Sequence, residues 1–146
     1  MSSTGTTSRF VIDTNTIVSA VLSEDSNPLR VVRFVLLTGA LLASQATLTE
    51  LEDVLFRPKF DRYSSREKRA AFLEALHAKC QMIKVTSVID ACRDPNDNKF
   101  LALAVDGDAD LILTGDLDLL ALHPFRGIDI LTPSAFLERI TPSASR

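Results

Sequence analysis

Short apolar runs alternate with longer amphipathic stretches along the chain. Phe10–Ile12 is an unbroken apolar run that leads directly into Asp13. Consecutive apolar positions of this kind are typical of a strand that is buried on both faces of a parallel sheet. Leu111–Thr114 has a similar pattern and leads to Asp116. Because open α/β sheets bind ligands at the carboxyl ends of their strands, both aspartates are candidate site residues.

The same pattern predicts five strands with helices between them. The predicted strands are Phe10–Ile12, Leu41–Ala43, Met82–Val85, Leu111–Thr114 and Ile128–Leu131. Apolar residues at helical spacing predict helices in the intervals and after Thr132. Alternation of this kind predicts an α/β fold, a three-layer α/β/α sandwich with a central, mainly parallel five-stranded sheet.

Particular residues mark where two of these helices begin. Asn27 followed by Pro28 predicts an N-cap and a first-turn proline. Ser64 with Glu67 forms a capping-box pattern for a helix that runs to about Lys79.

Length and composition indicate one domain. The 146 residues are 46% hydrophobic and 24% charged, which is ordinary for a globular protein. We expect a single domain over residues 9–140, with flexible tails at 1–8 and 141–146. The polar start lacks the features of a signal peptide, and no apolar run is long enough to span a membrane. Cys80 and Cys92 lack metal-ligand spacing and indicate reduced thiols, so we expect a cytoplasmic protein.

The charge balance disfavours a protein that holds nucleic acid by bulk charge. The formal net charge is −3, Trp is absent, and Tyr63 is the single tyrosine. One segment departs from this balance, since six cations fall between residues 57 and 69: Arg57, Lys59, Arg62, Arg66, Lys68 and Arg69. Such a segment is typical of one that contacts a nucleic-acid backbone; a solvated helix face is the alternative.

Four acids fall where a single cleft would collect them. Asp13 and Asp116 end strands, whereas Glu50 and Asp97 lie in early turns of helices that leave strand ends. Taken singly, each is also compatible with a helix cap, a turn or a solvated position. Taken together, the carboxylates would repel one another unless a cation neutralised them or their pKa values were raised. The outer members of this cluster would be Asp94 and Asp118.

The donor set predicts a hard divalent cation. Carboxylate oxygens without Cys or His ligands suit Mg²⁺ or Mn²⁺ rather than zinc. Such a site can activate water and neutralise a phosphate during hydrolysis. Other chemistries lack support, since the sequence contains no glycine-rich phosphate loop and no Gly-x-Ser-x-Gly motif.

At these residues the chain resembles the PIN domain, a metal-dependent ribonuclease fold of many toxin–antitoxin toxins. The resemblance spans roughly Arg9 to Ile140. It rests on an ordered set of four motifs: Asp13-Thr14-Asn15 after the first strand, Glu50 after the second, Asp97 at the start of the next major helix, and Thr114-Gly115-Asp116 after a late strand.

The resemblance implies a fold, an activity and residue roles. Strands one and four would be neighbours, which would bring Asp13 and Asp116 together. The activity would be Mg²⁺- or Mn²⁺-dependent cleavage of single-stranded RNA by the toxin component of a toxin–antitoxin system, with a cognate antitoxin as partner, and the cations between residues 57 and 69 would contact that RNA. Separately from the resemblance, we expect the helix face with Leu29, Val32 and Leu36 to be core, and a homodimer contact is the alternative. Asp13, Asp97 and Asp116 would be metal ligands, and Glu50 a ligand directly or through water. The residues that orient the carboxylates would be Asn15 and Thr114.

Two alternatives stay open at this point. One is a PIN-like binding or regulatory module that keeps the acidic cluster without turnover. The other is an aspartate-based phosphotransfer protein of α/β fold. That second alternative lacks two expected features, since Asn15 stands where a phosphatase has its second Asp, and no lysine follows Lys99 where a receiver domain has one.

Overall fold

A computed structural model describes residues 7–141 and contains five strands and seven α-helices within that range. The strands are β1 (Arg9–Ile12), β2 (Ala40–Ala43), β3 (Gln81–Met82), β4 (Leu111–Leu113) and β5 (Asp129–Leu131). The helices are α1 (Thr14–Leu22), α2 (Asn27–Thr38), α3 (Gln45–Leu55), α4 (Arg66–Lys79), α5 (Asn98–Asp106), α6 (Leu117–Leu120) and α7 (Pro133–Ile140). Two 3-10 turns, Pro58–Phe60 and Pro95–Asp97, precede α4 and α5.

The strands form one sheet in the order β3-β2-β1-β4-β5, and every neighbouring pair is parallel. The chain therefore passes from β1 outward to β3 and then returns across the sheet to β4. This crossover makes β1 and β4 neighbours, with Ile12 opposite Leu113. The residues that follow these two strands consequently meet at one edge of the sheet.

Helices cover both faces of the sheet, and each face has its own apolar core. Phe10 and Ile12 contribute to one core together with residues of α1, α2, α3, α4 and α7. Val11 faces the opposite way and packs with α5, α6 and the segment around Cys92. Alternate residues of a strand point to opposite faces, so an unbroken apolar strand can fill both cores. The predicted α/β/α sandwich is confirmed.

Some predicted boundaries are wrong in detail. The third strand is Gln81–Met82 rather than Met82–Val85, because β3 is an exposed edge strand and its partner β2 ends at Ala43. The N-cap of α2 is Ser26, whose hydroxyl accepts a hydrogen bond from Leu29 N at 3.3 Å, and Asn27 is the first helical residue.

The start of α4 is also shifted by one residue from the prediction. Its N-cap is Ser65, which accepts from Lys68 N at 3.0 Å. Ser64 is buried just before the cap, where its hydroxyl faces the Ser65 carbonyl instead of the first turn of the helix.

Most of both predicted tails, residues 1–6 and 142–146, lies outside the described range. Within residues 7–141, none of the helices has the length and apolar character needed to cross a membrane.

Candidate active site

Asp13 and Asp116 follow the neighbouring strands β1 and β4 at the carboxyl edge of the sheet. Asp13 is 5% exposed and is the N-cap of α1, where its Oδ1 accepts a hydrogen bond from Thr16 N at 3.0 Å. Asp116 caps α6, and its Oδ1 accepts from Asp118 N at 2.7 Å and from Leu119 N at 3.3 Å. Both carboxylates are thus fixed by the helix that follows their strand.

Thr114 connects these two aspartates. It is fully buried, and its hydroxyl donates to Asp13 Oδ2 at 2.5 Å. The same oxygen accepts a hydrogen bond from Asp116 N at 2.9 Å. One side chain therefore contacts both the first carboxylate and the backbone of the second, and these contacts support the orienting role of Thr114, which stays a prediction.

Asp97 lies in the connection between β3 and β4, directly before α5. It ends the 3-10 turn Pro95–Asp97, whose N-cap is Asp94, and Asp94 Oδ1 accepts from Asn96 N at 3.0 Å. Asp97 also precedes α5, but its side chain makes no capping hydrogen bond. Asp94 is accordingly a cap that shapes the turn, whereas the Asp97 carboxylate is left to face the other acids.

Three carboxylates come together at this edge. Among the described residues, Asp97, Asp116 and Asp118 each offer an oxygen within 4.8 Å of the others. Asp97 is 8% exposed, whereas Asp118 is half-buried and also pairs with Arg93 Nε at 3.2 Å. Asp118, predicted as an outer member, is therefore as close to the centre of the cluster as the predicted ligands Asp97 and Asp116.

Crowding and burial change the protonation of the site. Burial, followed by the negative charge of Asp116, raises the pKa of Asp97 to about 7. Burial also raises the pKa of Asp13, although the hydrogen bonds from Thr114 and Thr16 oppose that shift. Both effects penalise the ionised form, and a bound cation would reverse them.

Glu50 lies in α3 and interacts with a lysine rather than with the three aspartates. Its Oε1 forms an ion pair with Lys99 Nζ. Lys99 Nζ also donates to Asn96 O at 2.8 Å and to Asn96 Oδ1 at 2.9 Å. No role in the site is predicted for Lys99 from the sequence, and the one available signal is its position two residues after Asp97.

A cleft of about 430 Å³ extends from Asp13 and Asp116 toward α2 and α7. Neutral polar side chains make up much of its wall, and exposed Asn15 is one of them. Within residues 7–141, no hydrogen bond joins Asn15 to a carboxylate of the cluster, so its orienting role stays a prediction. The remaining polar residues of the wall are Thr16, Ser19, Asn27, Thr132 and Ser134.

Cys92 lies against the acidic cluster on its buried side. Its Sγ is 3.9 Å from Asp97 Oδ2, and the side chain is 6% exposed. Burial, with further contributions from nearby carboxylates, raises the pKa of the thiol. A neutral thiol beside the cluster limits solvent access to Asp97 from this side.

The predicted RNA-contacting segment divides into exposed and buried cations. Arg69 is fully buried and donates to Leu55 O at 2.9 Å, to Ser65 O at 3.3 Å and to Asp61 Oδ1. Its prediction as an RNA contact is wrong, because the guanidinium serves to satisfy backbone carbonyls inside the fold. The exposed cations of the predicted set are Arg57, Lys59, Arg62 and Arg66.

Two of these exposed cations have acidic partners. Arg57 pairs with Asp53 at 3.2 Å, and Arg66 pairs with Asp61 at 3.5 Å. Lys59 and Arg62 lie over the rings of Phe60 and Tyr63, with 5.1 and 5.4 Å to the ring centroids. These two residues are therefore the better candidates for contacts with phosphate.

The chemistry of the donor set fits a divalent metal ion. The converging ligand atoms are carboxylate oxygens, which suit Mg²⁺ or Mn²⁺. Burial raises the pKa values of Asp13 and Asp97, the charge of Asp116 adds to the shift at Asp97, and a cation at the site would favour the ionised form of both carboxylates.

Comparison with known proteins agrees with this geometry. A family model described as PIN domain matches residues 9–118. The uncharacterized protein MJ1680 of Methanocaldococcus jannaschii is 30% identical over 117 residues, which cover 79% of this chain and 75% of the relative.

Two solved structures have a similar fold. VapBC2 from Rickettsia felis, bound to a DNA fragment from its promoter, superposes with a TM-score of 0.57 and 12% identity, covering 85% of this chain and 98% of that one. PAE2754 from Pyrobaculum aerophilum superposes with a TM-score of 0.52 and 16% identity, covering 90% and 88%.

Proposed function

Because the chain belongs to the PIN domain family, we propose that it is a nuclease that hydrolyses single-stranded RNA with Mg²⁺ or Mn²⁺. The observation that carries this proposal is the cluster of Asp97, Asp116 and Asp118 oxygens beside Asp13. The cluster lies where open parallel sheets bind ligands, and the cleft next to it is open to a substrate.

Asp97, Asp116 and Asp118 would hold the cation, with Asp13 close enough to raise the pKa of Asp97. Glu50 would complete the acidic set from α3. A divalent cation held there would supply positive charge beside the scissile phosphate and would lower the pKa of an attacking water.

The chain's own residues would organise the rest of the site. Thr114 keeps Asp13 and the Asp116 backbone in place, so the carboxylates need little reorganisation when substrate binds. The neutral polar wall of the cleft offers hydrogen bonds to sugar and base edges without adding negative charge. Lys59 and Arg62 would contact phosphates farther along the strand.

The test is cleavage of end-labelled single-stranded RNA with and without EDTA. We expect activity that requires a divalent cation and products with 5′-phosphate ends, because activated water attacks phosphorus. Asp116→Asn should abolish cleavage. Asp108→Asn is a matched control, since Asp108 is exposed and lies before β4 at the opposite edge of the sheet. Undiminished cleavage in EDTA, or products with a 2′,3′-cyclic phosphate, would contradict the proposal.

We also propose that the protein is the toxin component of a type II toxin–antitoxin system. The similarity to the Rickettsia felis VapBC2 structure supports an antitoxin as protein partner. Expression of the chain alone should arrest growth, and expression of Asp116→Asn should not. An active nuclease that leaves growth unaffected would argue for RNA processing instead. Size-exclusion chromatography with light scattering tests whether the chain forms a homodimer.

A further inference from the structure

Lys99 forms a closed network with two residues at the edge of the acidic cluster. Its ammonium contacts Glu50 Oε1, Asn96 O and Asn96 Oδ1. An ammonium has three N–H donors, so these three acceptors account for all of them. Asn96 Nδ2 lies 3.5 Å from the same Glu50 oxygen. The side chains of Lys99 and Glu50 are only 22% and 21% exposed, so solvent screens their attraction less than at the surface.

The network connects the two helices that border the site. Glu50 belongs to α3, and Lys99 lies in the first turn of α5, two residues after Asp97. Asn96 belongs to the turn that carries Asp97. The ammonium therefore neutralises the one acid of the predicted quartet that comes from the β2 side of the sheet, and it does so without using Asp97, Asp116 or Asp118.

We propose that Lys99 is a positioning residue that neutralises Glu50 and keeps it out of direct metal coordination, so that the three aspartates hold a single divalent cation. The Lys99 ammonium supplies the positive charge beside Glu50 that a second metal ion would otherwise supply. This inference rests on the proposed metal-dependent function and assigns Glu50 an outer role within it. Either residue of this pair, left without its partner, changes the affinity of the neighbouring cation site through space. An unpaired Glu50 carboxylate raises that affinity, and an unpaired Lys99 ammonium lowers it.

Mn²⁺ binding to the intact protein tests the inference without any measurement of activity. Wild type should bind one Mn²⁺ per chain, measured by calorimetry and by electron paramagnetic resonance of free Mn²⁺. Lys99→Met leaves Glu50 uncompensated and should tighten Mn²⁺ binding by about fivefold. Glu50→Gln leaves Lys99 uncompensated and should weaken it by a similar factor.

The double variant Glu50→Gln/Lys99→Met separates an outer role from a ligand role. If Glu50 acts only through its charge, losing both charges restores the net charge of the site, and Mn²⁺ affinity should return to within about twofold of wild type. If Glu50 is a ligand, the double variant should stay as weak as Glu50→Gln, which would overturn the inference. Unchanged affinity in Lys99→Met, or two Mn²⁺ per wild-type chain, would also overturn it.

Controls keep the outcomes distinct. Lys84→Met removes an exposed lysine elsewhere and should leave Mn²⁺ affinity unchanged. Lys99→Gln, which loses the charge but retains a donor, replaces Lys99→Met if that variant fails to fold by circular dichroism. A wild-type chain that binds no Mn²⁺ would overturn the proposed function and this inference together. A chain that binds one Mn²⁺ through a directly ligating Glu50 would overturn only the inference.

Discussion

Thr114 is the residue on which the arrangement of Asp13 and Asp116 depends. Thr114→Val keeps the shape but leaves Asp13 Oδ2 and Asp116 N without their buried partner. We expect a loss of unfolding free energy of about 2 kcal/mol and a fall in cleavage rate of about tenfold or more. Urea denaturation and initial-rate assays measure the two effects. Thr114→Ser retains the hydroxyl and should behave much more like wild type; equal losses in both variants would remove the hydroxyl from this role.

Asp97 should make the metal-free protein less stable as pH rises. Its pKa is about 7 in the folded protein, compared with 3.8 as the ordinary value. The folded state therefore retains a proton that the unfolded chain releases, and stability falls as pH rises from about 4 through 7. The full shift corresponds to at most about 4 kcal/mol.

The comparison with Asp97→Asn isolates this contribution. Denaturation in EDTA at pH 4.5 and pH 8 should show that wild type loses stability relative to the variant over that interval. Parallel pH profiles for the two proteins would show that Asp97 does not carry the raised pKa.

At the scale of elements, the buried cation Arg69 holds α4 against α3. Arg69 attaches the first turn of α4 to the last turn of α3 through Leu55 O. Arg69→Met should lower the unfolding free energy by about 3 kcal/mol, because buried acceptors lose their charged donor. Arg62→Met, which changes an exposed cation, should have little effect on stability. Equal stability of both variants in urea denaturation would contradict the structural role of Arg69.

The exposed part of the same segment should bind the RNA backbone. Replacing Lys59 and Arg62 together by Ala should weaken RNA binding and reduce the slope of log affinity against log salt by about 1.4, which corresponds to two phosphate contacts on a single strand. Binding is measured in the Asp116→Asn background by fluorescence anisotropy. A variant with Lys79 and Lys84 changed to Ala carries the same charge change elsewhere and should keep the wild-type slope. Identical slopes in all three proteins would favour a solvated surface.

At the scale of the whole molecule, the crossover from β3 to β4 brings together acids that are far apart in sequence. Their mutual repulsion destabilises the folded state. A cation that binds only the folded state stabilises it by mass action, by about 2.7 kcal/mol at 100 times its Kd. Mn²⁺ should therefore raise the Tm of wild type, and raise that of Asp116→Asn much less.

In EDTA, Asp116→Asn should be at least as stable as wild type. The amide oxygen can still cap α6, while one repelling charge is gone. Thermal melts of both proteins in EDTA and in Mn²⁺ test this directly. A variant that melts well below wild type in EDTA and gains equally from Mn²⁺ would remove Asp116 from the metal site.

The sequence by itself determined the elements and the family. Apolar runs ending in acids predict the strands, helical spacing predicts the layers, and the ordered motifs from Asp13 to Asp116 identify the PIN domain, as the family match confirms. These features depend on neighbouring residues, whose pattern is visible in one dimension. Edge strand β3 was misplaced because its length is set by its partner and not by its own residues.

Only the tertiary structure decided which charges meet. Arg69 and Arg62 have the same chemistry and lie seven positions apart, yet one is buried and the other exposed. The pairing of Glu50 with Lys99 and the approach of Asp118 to Asp97 join residues from different elements. Burial and partner choice depend on how helices pack across the sheet, because the energy of a charge is set by its surroundings in space rather than by its neighbours in sequence.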